Sequence, residues 1–302
     1  MNNRNFRRIR RNQQLFYWMV LVIPIIHFFV FYVYLNFDGF FLAFKSYDSK
    51  TGQYLWTGFD NFKQVINTIK TVTWVPYAFE NSILAWLTGT FFVFPVSVLT
   101  AYYVYKKRFL GEFFKVMLMI PDMISYLVMI MIYKFFMDRG APELLAHFGI
   151  ESIGLLADPE TTRGTILFYT CFNGLNSGML TYMAMMGGIP ASLSEAAQMD
   201  GITPMKEYFY ITLPMIWPVL SISLYGVFAG IINSDIGAFA FFAEQADYNL
   251  YSFSYYSTVE LLKQSPASYG FLAALGLLFA CFTGPLTFLG KHLVTKYGWS
   301  TD

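Results

Sequence analysis

Charged residues are scarce in this chain. Only 13% of its 302 residues are Asp, Glu, Lys or Arg, whereas soluble globular proteins carry about 25%. A soluble protein of this size needs more charge on its surface, so the composition excludes an ordinary soluble domain. With 56% hydrophobic and 20% aromatic residues, the chain is also not a disordered linker. The composition predicts a polytopic membrane protein, much of whose surface faces lipid.

Cysteine and histidine are also rare. Cys171 and Cys281 both lie in apolar stretches, so we expect small buried residues rather than a disulfide. His27, His147 and His292 fall in a predicted helix, a predicted external loop and the tail. No spacing of His, Cys and carboxylate residues is typical of a metal site. The sequence therefore excludes a disulfide scaffold and predicts no bound metal.

Long apolar runs are abundant. A bilayer about 30 Å thick requires roughly 17 to 25 helical residues to cross it. Six segments are long enough, which predicts an all-α membrane protein with six transmembrane helices. They are Leu15–Asn36, Ser82–Tyr105, Val116–Phe136, Gly164–Gly187, Ile211–Asn233 and Tyr269–Gly290.

Basic residues are unevenly distributed among the predicted loops. Five arginines precede the first segment, at positions 4, 7, 8, 10 and 11, with no acidic residue among them. The loops on that side of the membrane carry twelve Lys or Arg, and the opposite loops carry seven. Because cytoplasmic loops are enriched in Lys and Arg, both termini are predicted to be cytoplasmic. The chain then divides into a basic arm at 1–14, a membrane domain at 15–290 and a tail at 291–302.

The arginine-rich arm has a second interpretation, as a nucleic-acid-binding segment. Such a segment would need more basic residues or aromatic platforms elsewhere in the chain, and none are evident. We expect no nucleic-acid partner. Aromatic residues in the first external loop are either interfacial anchors or a docking surface for a soluble partner; they are Trp56, Phe59, Phe62, Trp74 and Tyr77.

The predicted cytoplasmic loop at 188–210 has local signals for two short helices. Ser192 and Glu195 have the spacing of a capping box, Gly201 stands where a helix can end in a left-handed conformation, and Thr203-Pro204 can begin a second helix. The first helix places Leu193, Ala196, Ala197 and Met199 in water, which is typical of a surface with a protein partner. A helix lying on lipid would favour Lys and Arg, whereas this helix carries only acidic charge, from Glu195 and Asp200.

This loop resembles the EAA loop of ABC-importer permeases. The resemblance is carried by Glu195-Ala196-Ala197, by Gly201 and by Leu213-Pro214, at matching spacings. Gly188-Ile189-Pro190, the Trp56–Phe62 segment and Met119-Ile120-Pro121 resemble the maltose-type carbohydrate permeases, specifically the first of the two permeases that such systems use. The resemblance implies the type I importer fold in a bacterial inner membrane.

The resemblance also implies a set of partners. These are a second permease subunit forming a heterodimer, a cytoplasmic ATPase dimer, an extracellular solute-binding protein and a carbohydrate substrate, in addition to membrane lipid. The loop would be the coupling helix in a cleft of the ATPase, with Glu195 paired to a basic group there and Gly201 allowing the bend. Glu195, Ala196, Ala197, Asp200, Gly201, Leu213 and Pro214 form the expected ATPase-coupling set.

ATP hydrolysis is not expected on this chain. Gly290-Lys291 is followed by His292, and no glycine stands five residues before Gly290, so the phosphate-binding Walker pattern is missing. The chain is predicted to be no enzyme and to hold no cofactor, with ATP and Mg on the partner ATPase.

Polar residues inside the predicted membrane helices are candidates for a substrate path, because polar groups are costly at that depth. The fourth segment contributes Tyr169, Asn173, Asn176 and Ser177, and the fifth contributes Tyr225, Phe228, Asn233 and Ser234. Amides hydrogen-bond sugar hydroxyls, and aromatic rings pack on the apolar face of a sugar. The same residue types also serve helix–helix packing. For Asp122, in the third segment, we favour a structural hydrogen bond over a place on the path.

Two other transporter classes stay open. An ion-coupled secondary transporter would show two related halves and ionisable residues within the membrane; Asp122 is the one candidate and no repeat is evident. An ABC permease for another solute, such as a glycerol phosphate ester, has the same loop. A membrane enzyme would need a convergent catalytic set, which the sequence does not contain.

Overall fold

The computed structural model describes the backbone of residues 3–299 and the side chains of residues 13–299 except Leu35 and Ser177. The chain divides into two compact units. The first comprises Met1–Ile69 with Gln264–Leu278, and the second comprises Lys70–Lys263 with Phe279–Asp302.

The first unit contains a long helix, a hairpin, a short helix and the first part of the helix Pro266–Tyr297. The long helix consists of α1 (Asn3–His27), a π-helical segment (Phe28–Tyr34) and α2 (Leu35–Leu42). Strands β1 (Lys45–Asp48) and β2 (Gln53–Trp56) follow, and then α3 (Asp60–Thr71), which runs to the unit's edge. The described side chains from Gln13 to Phe40 are all exposed, as expected of a helix that packs against lipid or another chain.

The hairpin was not predicted from the sequence. β1 and β2 pair antiparallel with Lys45 opposite Trp56, and Gly52 in the turn has φ +69°. The buried Asn61 on α3 fixes the hairpin's start, because its Nδ2 donates to the carbonyls of Ala43 (2.9 Å) and Lys45 (2.8 Å). A single side-chain amide that hydrogen-bonds the end of a strand leaves no periodic pattern in the sequence, so the hairpin could not be predicted from it.

The regular secondary structure of the second unit is all helical among its described residues. Its helices are α4 (Val75–Thr88), α5 (Phe94–Tyr105), α6 (Gly111–Met123), α7 (Tyr126–Phe135), α8 (Ala141–Ala146), α9 (Pro159–Ser177), α10 (Met179–Gly187), α11 (Ala191–Met199), α12 (Pro204–Glu207), α13 (Leu213–Ala229), α14 (Ala238–Phe242), α15 (Phe253–Leu262) and the second half of α16 (Pro266–Tyr297). π-helical segments join α4 to α5 (Gly89–Val93), α7 to α8 (Phe136–Gly140) and α12 to α13 (Tyr208–Thr212). A single 3₁₀ turn lies at Tyr248–Leu250.

Two apolar clusters form the core of the second unit. One packs α5, α10 and α13 together through Val98, Tyr102, Met179, Met186 and Ile216. The other includes Ile130, Ile166, Tyr169, Phe241 and Tyr255. The first cluster includes Tyr208 of the 188–210 loop, and the second includes Ile166 and Tyr169 of α9.

Four helical stretches among the described residues are long and apolar enough to cross a membrane. They are Gln13–Leu42, Val75–Tyr105, Pro204–Ala229 and Pro266–Tyr297. These match the first, second, fifth and sixth predicted segments. The sixth is longer than predicted, so Lys291 and Lys296 continue the helix.

The third predicted helix, Val116–Phe136, is wrong as one continuous helix. α6 and the α7–α8 stretch pass the same length and composition test only together, and they are bent by 103°. Ile124 is extended (φ −94°, ψ 145°). Pro121 has no N–H to donate in the last turn of α6, which weakens that turn and favours an end soon after it.

The fourth predicted helix, Gly164–Gly187, is interrupted at Gly178, where α9 ends and α10 begins. Its amides and glycines lower its hydropathy, and it is not among the four stretches above. It stays a predicted span. The fifth helix begins at Pro204 and ends at Ala229, so Asn233 and Ser234 lie beyond it, contrary to prediction. Gly230 occupies its C-cap.

Neither cysteine forms a disulfide. Cys171 is half-buried, and Cys281 is exposed rather than buried as expected. Cys281 lies on the sixth span, where an exposed small apolar residue can face lipid.

Candidate functional site

The 188–210 loop forms the two predicted helices with the predicted turn. α11 ends at Met199, and Gly201 has φ +68°. The Gly201 N–H donates to the Gln198 carbonyl (3.0 Å) and the Ile202 N–H to the Ala197 carbonyl (2.9 Å). This pair of bonds is the Schellman arrangement, in which glycine at the left-handed position avoids the strain of a side chain. The second helix begins with Pro204 in its first turn.

The capping box at Ser192 and Glu195 is wrong. α11 begins at Ala191, one residue before Ser192, and its N-cap is Pro190, which makes no side-chain cap. Pro190 is extended (ψ 128°), so the helix starts directly after it. Thr203 is the N-cap of α12 as predicted, but its side chain makes no cap bond.

One face of α11 has no partner among the described residues. Glu195, Ala196 and Asp200 are exposed, and Met199 is 88% exposed, whereas Ala197 is only 3% exposed. Exposed carboxylates beside exposed apolar side chains on one short helix are suited to a protein surface that offers basic groups.

The opposite face of α11 is held by a buried polar cluster that sequence reasoning missed. We call it the 106–194–207 cluster, after Lys106, Ser194 and Glu207. The Lys106 ammonium forms an ion pair with Glu207 Oε1 and lies 2.6 Å from Ser194 Oγ. Ser194 Oγ also lies 2.8 Å from Glu207 Oε1. The Lys106 and Glu207 side chains are only 12% and 7% exposed.

Tyr102 extends this cluster. Its hydroxyl donates to the Pro204 carbonyl at 2.8 Å and lies 3.5 Å from Glu207 Oε2. Its ring packs against the Tyr208 ring, with centroids 4.9 Å apart. Three elements therefore meet here: the end of α5, α11 and the short helix α12. Their distance in sequence hides the cluster, since Lys106 and Glu207 are separated by 101 positions.

Leu213 and Pro214 lie where the loop becomes a span. Leu213 is half-buried against the first apolar cluster. Pro214 lacks an N–H, and the helix passes through a π-helical turn (Tyr208–Thr212) just before it. α12, this π-helical turn and α13 together form one continuous helix, from Pro204 to Ala229.

Two predicted path residues on α9 are buried polar groups without hydrogen bonds. Tyr169 is 3% exposed, and its ring lies 4.8 Å from that of Tyr133 and 5.3 Å from that of Phe241. Asn176 is 5% exposed. Neither the Tyr169 hydroxyl nor the Asn176 amide has a partner among the described residues, and each such group costs about 1–3 kcal/mol. Asn173 is half-buried. The Ser177 side chain lies outside the described residues.

The predicted path residues on α13 contact α16 instead. The Tyr225 hydroxyl lies 3.2 Å from Thr295 Oγ1. Phe228 packs over Gly290, where a Cβ would come within 2.3 Å of its ring. These contacts favour the helix-packing interpretation for Tyr225 and Phe228. Asn233 is exposed in a turn.

Ser234 lines a cavity of about 330 Å³ between the α4–α5 span and α13, a size within the range of small-molecule pockets. Its Oγ donates to the Gly230 carbonyl (2.8 Å). Trp86, Thr90 and Ser223 also line the cavity and were not predicted. Gly226 and Gly230, spaced four apart, are the sequence signal that could have predicted this close approach of two helices.

Asp122 is exposed in the last turn of α6. Asp235, between α13 and α14, is a second acidic residue. It was not singled out from the sequence. Its carboxylate accepts a 2.7 Å bond from Ser252 Oγ. Burial raises the pKa of Asp235, and the hydrogen bonds from Ser252 and from backbone N–H groups oppose that rise only in part.

Two solved structures are similar to nearly the whole chain. A bacterial ABC transporter that imports the acidic polysaccharide alginate matches with a TM-score of 0.75 and 21% identity, over 98% of this chain and all of that one. The alginate transporter in complex with a periplasmic protein bound to an alginate pentasaccharide matches with a TM-score of 0.73 and 20% identity, over 98% of each chain. At these identities the likeness establishes the fold.

Curated relatives are permease proteins. The polygalacturonan/rhamnogalacturonan transport system permease protein YteP of Bacillus subtilis (strain 168) is 24% identical over 69% of this chain and 66% of its own. The maltose/maltodextrin permease protein MalF of Salmonella typhimurium is 30% identical over 40% of this chain, a match that spans only 24% of MalF.

The family described as binding-protein-dependent transport system inner membrane component matches residues 93–298. This range is more than half of the chain, and it contains the 188–210 loop, the 106–194–207 cluster and the polar part of α9. The chain belongs to this family of inner membrane transport components.

Proposed function

We propose that this chain is a transmembrane permease subunit of an ATP-driven, binding-protein-dependent importer for a sugar or oligosaccharide. The observation that carries the proposal is the 188–210 loop, with an exposed acidic and apolar face on α11, a glycine-dependent turn and a second helix that continues into a span. The family match supports it independently.

The loop's partner in this proposal is a cytoplasmic ATPase dimer. Glu195 and Asp200 offer exposed carboxylates to basic groups, and Met199 offers apolar surface for a cleft. Binding and hydrolysis of ATP with Mg take place on that partner. Movement of the ATPase shifts the loop, and the loop moves α13, which gives alternating access through two discrete arrangements.

The proposed substrate is a carbohydrate. YteP and MalF are permease proteins of polysaccharide and maltodextrin systems, which supports this class. Tyr169 and Asn176 have buried hydrogen-bonding groups for which the described residues offer no partner. Trp86, Ser223 and Ser234 line one cavity. Neutral hydroxyl and amide groups with aromatic rings suit a sugar.

The remaining partners are a second permease subunit and an extracellular solute-binding protein. The similar alginate transporter was solved with such a periplasmic protein. We place both termini in the cytoplasm, because the basic arm and the basic loops then lie on one side.

The experiment is reconstitution of the chain with its candidate ATPase, second permease and binding protein in liposomes. We expect uptake of a radiolabelled oligosaccharide that requires ATP and the binding protein. Uptake driven by an ion gradient without ATP would assign the chain to the secondary transporters instead. ATP-dependent uptake of a glycerol phosphate ester in place of the sugar would retain the mechanism and change the substrate class.

A further inference from the structure

The 106–194–207 cluster lies outside the residues expected to contact the ATPase. We infer that Lys106 and Glu207 are positioning residues that join the 188–210 loop to the α4–α5 span, so that movement of α11 reaches this span as well as α13. This inference rests on the proposed function and adds a second mechanical connection to it.

The attachment of α11 is confined to one side. Ser194 is half-buried and Ala197 is buried, three residues apart and therefore on one face, whereas the other seven residues of α11 are exposed. Ser194 contacts Lys106 and Glu207 at 2.6 and 2.8 Å. The cluster thus provides the polar link between α11 and the body of the chain.

The cluster joins elements that have no peptide connection nearby. Lys106 is the C-cap of α5, where a cation also interacts favourably with the helix dipole. Glu207 ends α12, and Tyr102, one turn before Lys106, donates to the Pro204 carbonyl. A displacement of α11 or α12 must therefore either move the end of α5 or separate these groups.

Separation is unfavourable because the ion pair is buried. A buried carboxylate that loses its cation is left without compensation, and here Glu207 Oε1 would lose Lys106 while keeping only Ser194. An exposed ion pair would break and re-form in water with little cost. Burial makes the cluster a fixed connection rather than a transient contact.

The test uses the reconstituted complex and four variants. Glu207→Gln and Lys106→Met each remove one charge, Ser194→Ala removes only a hydroxyl, and Lys106→Glu with Glu207→Lys exchanges the charges. Lys107→Met is the matched control, since Lys107 is the exposed neighbour of Lys106 and forms no ion pair among the described residues. For each, ATPase co-purification, thermal unfolding, ATP hydrolysis and sugar uptake are measured.

We expect Glu207→Gln and Lys106→Met to keep the ATPase bound and hydrolysing while uptake per ATP falls at least about fivefold, the lower range of coupling effects between sites. The charge exchange should recover part of this loss, and Lys107→Met should behave as the unchanged protein. Ser194→Ala preserves both charges, so its uptake per ATP should fall by less. This variant keeps the test decisive if a charge variant fails to assemble.

The inference would be overturned if Ser194→Ala and every charge variant that assembles transported as much sugar per ATP as Lys107→Met does. A loss of thermal stability with unchanged uptake per ATP would also overturn it, because the cluster would then only stabilise the fold. Failure of the proposed function is distinguishable, since the unchanged protein would then neither retain the ATPase nor transport sugar.

Discussion

The indole Nε1 of Trp86 donates a 2.8 Å hydrogen bond to the carbonyl oxygen of Val227, in the last turn of α13. The Val227 carbonyl also accepts the backbone N–H of the C-cap Gly230 at 3.2 Å, so Trp86 adds a second hydrogen bond to this oxygen across the cavity. We expect Trp86→Phe to lower the free energy of unfolding by about 1 kcal/mol, the usual contribution of one hydrogen bond. Thermal unfolding in detergent measures it, with the partly exposed Trp299→Phe as control.

Gly201 permits the turn between α11 and α12. Gly201→Ala places a Cβ at φ +68°, which costs about 1–2 kcal/mol. No atom lies within 4 Å of that Cβ position, so backbone strain rather than a clash causes the loss. We expect uptake to fall while membrane insertion is unchanged. Gly187→Ala, with an ordinary helical φ and equally open space, is the control; equal uptake by the two variants would contradict the prediction.

Glu195 is exposed on the unpartnered face of α11. If a basic group of the ATPase contacts it, Glu195→Lys replaces attraction by repulsion, and we expect co-purification of the ATPase and uptake to be lost. Gln198→Lys adds the same cation to another exposed position of the helix and should have a much weaker effect. If Glu195→Lys retained as much ATPase as Gln198→Lys does, Glu195 would not be part of the interface with the ATPase.

Asn176 gives opposite predictions for stability and function. Both of its amide atoms are buried and have no hydrogen-bond partner within the described part of the chain. Asn176→Leu therefore removes an unsatisfied group worth about 1–3 kcal/mol, and we expect a higher unfolding temperature together with weaker sugar uptake. Asn173→Leu, on the half-buried position of the same helix, should not raise the unfolding temperature. Normal uptake by Asn176→Leu would show that this residue serves helix packing and not the substrate path.

Asp235 predicts a dependence of stability on pH. Burial raises its pKa above the ordinary 3.8, so the folded protein holds this proton more tightly than the unfolded chain does. Its contribution to stability is therefore most favourable at low pH and declines as pH rises from 3.8 through the raised value. We expect Asp235→Asn, which can still accept from Ser252, to raise the unfolding temperature more at pH 8 than at pH 4. Asp247→Asn, at an exposed position, should show no such difference, and equal gains at both pH values would refute the assignment.

Local signals in the sequence predicted the turn of the 188–210 loop well. The left-handed position of Gly201 and the helix start at Pro204 depend on residues within a few positions of each other, and both are confirmed. Composition likewise predicted four of the apolar spans, since length and hydropathy are properties of a continuous segment.

Features that depend on distant residues were not predicted. The hairpin is fixed by Asn61 from a neighbouring helix, and the 106–194–207 cluster joins residues about a hundred positions apart. The bend at Ile124 is a backbone change after Pro121 that hydropathy does not register. For Asn233 and Ser234, the apolar run continued past the true helix end at Ala229, so the pattern extended the helix too far.

In the proposed mechanism, the continuous helix from Pro204 to Ala229 is a lever. Its 26 residues correspond to roughly 39 Å at 1.5 Å per residue. If it tilts as one body by about 5°, its two ends are displaced relative to each other by roughly 3 Å, comparable to the width of a water molecule. In the proposed mechanism, a small angular change at the 188–210 loop would therefore be enough to open or close a passage at the opposite end.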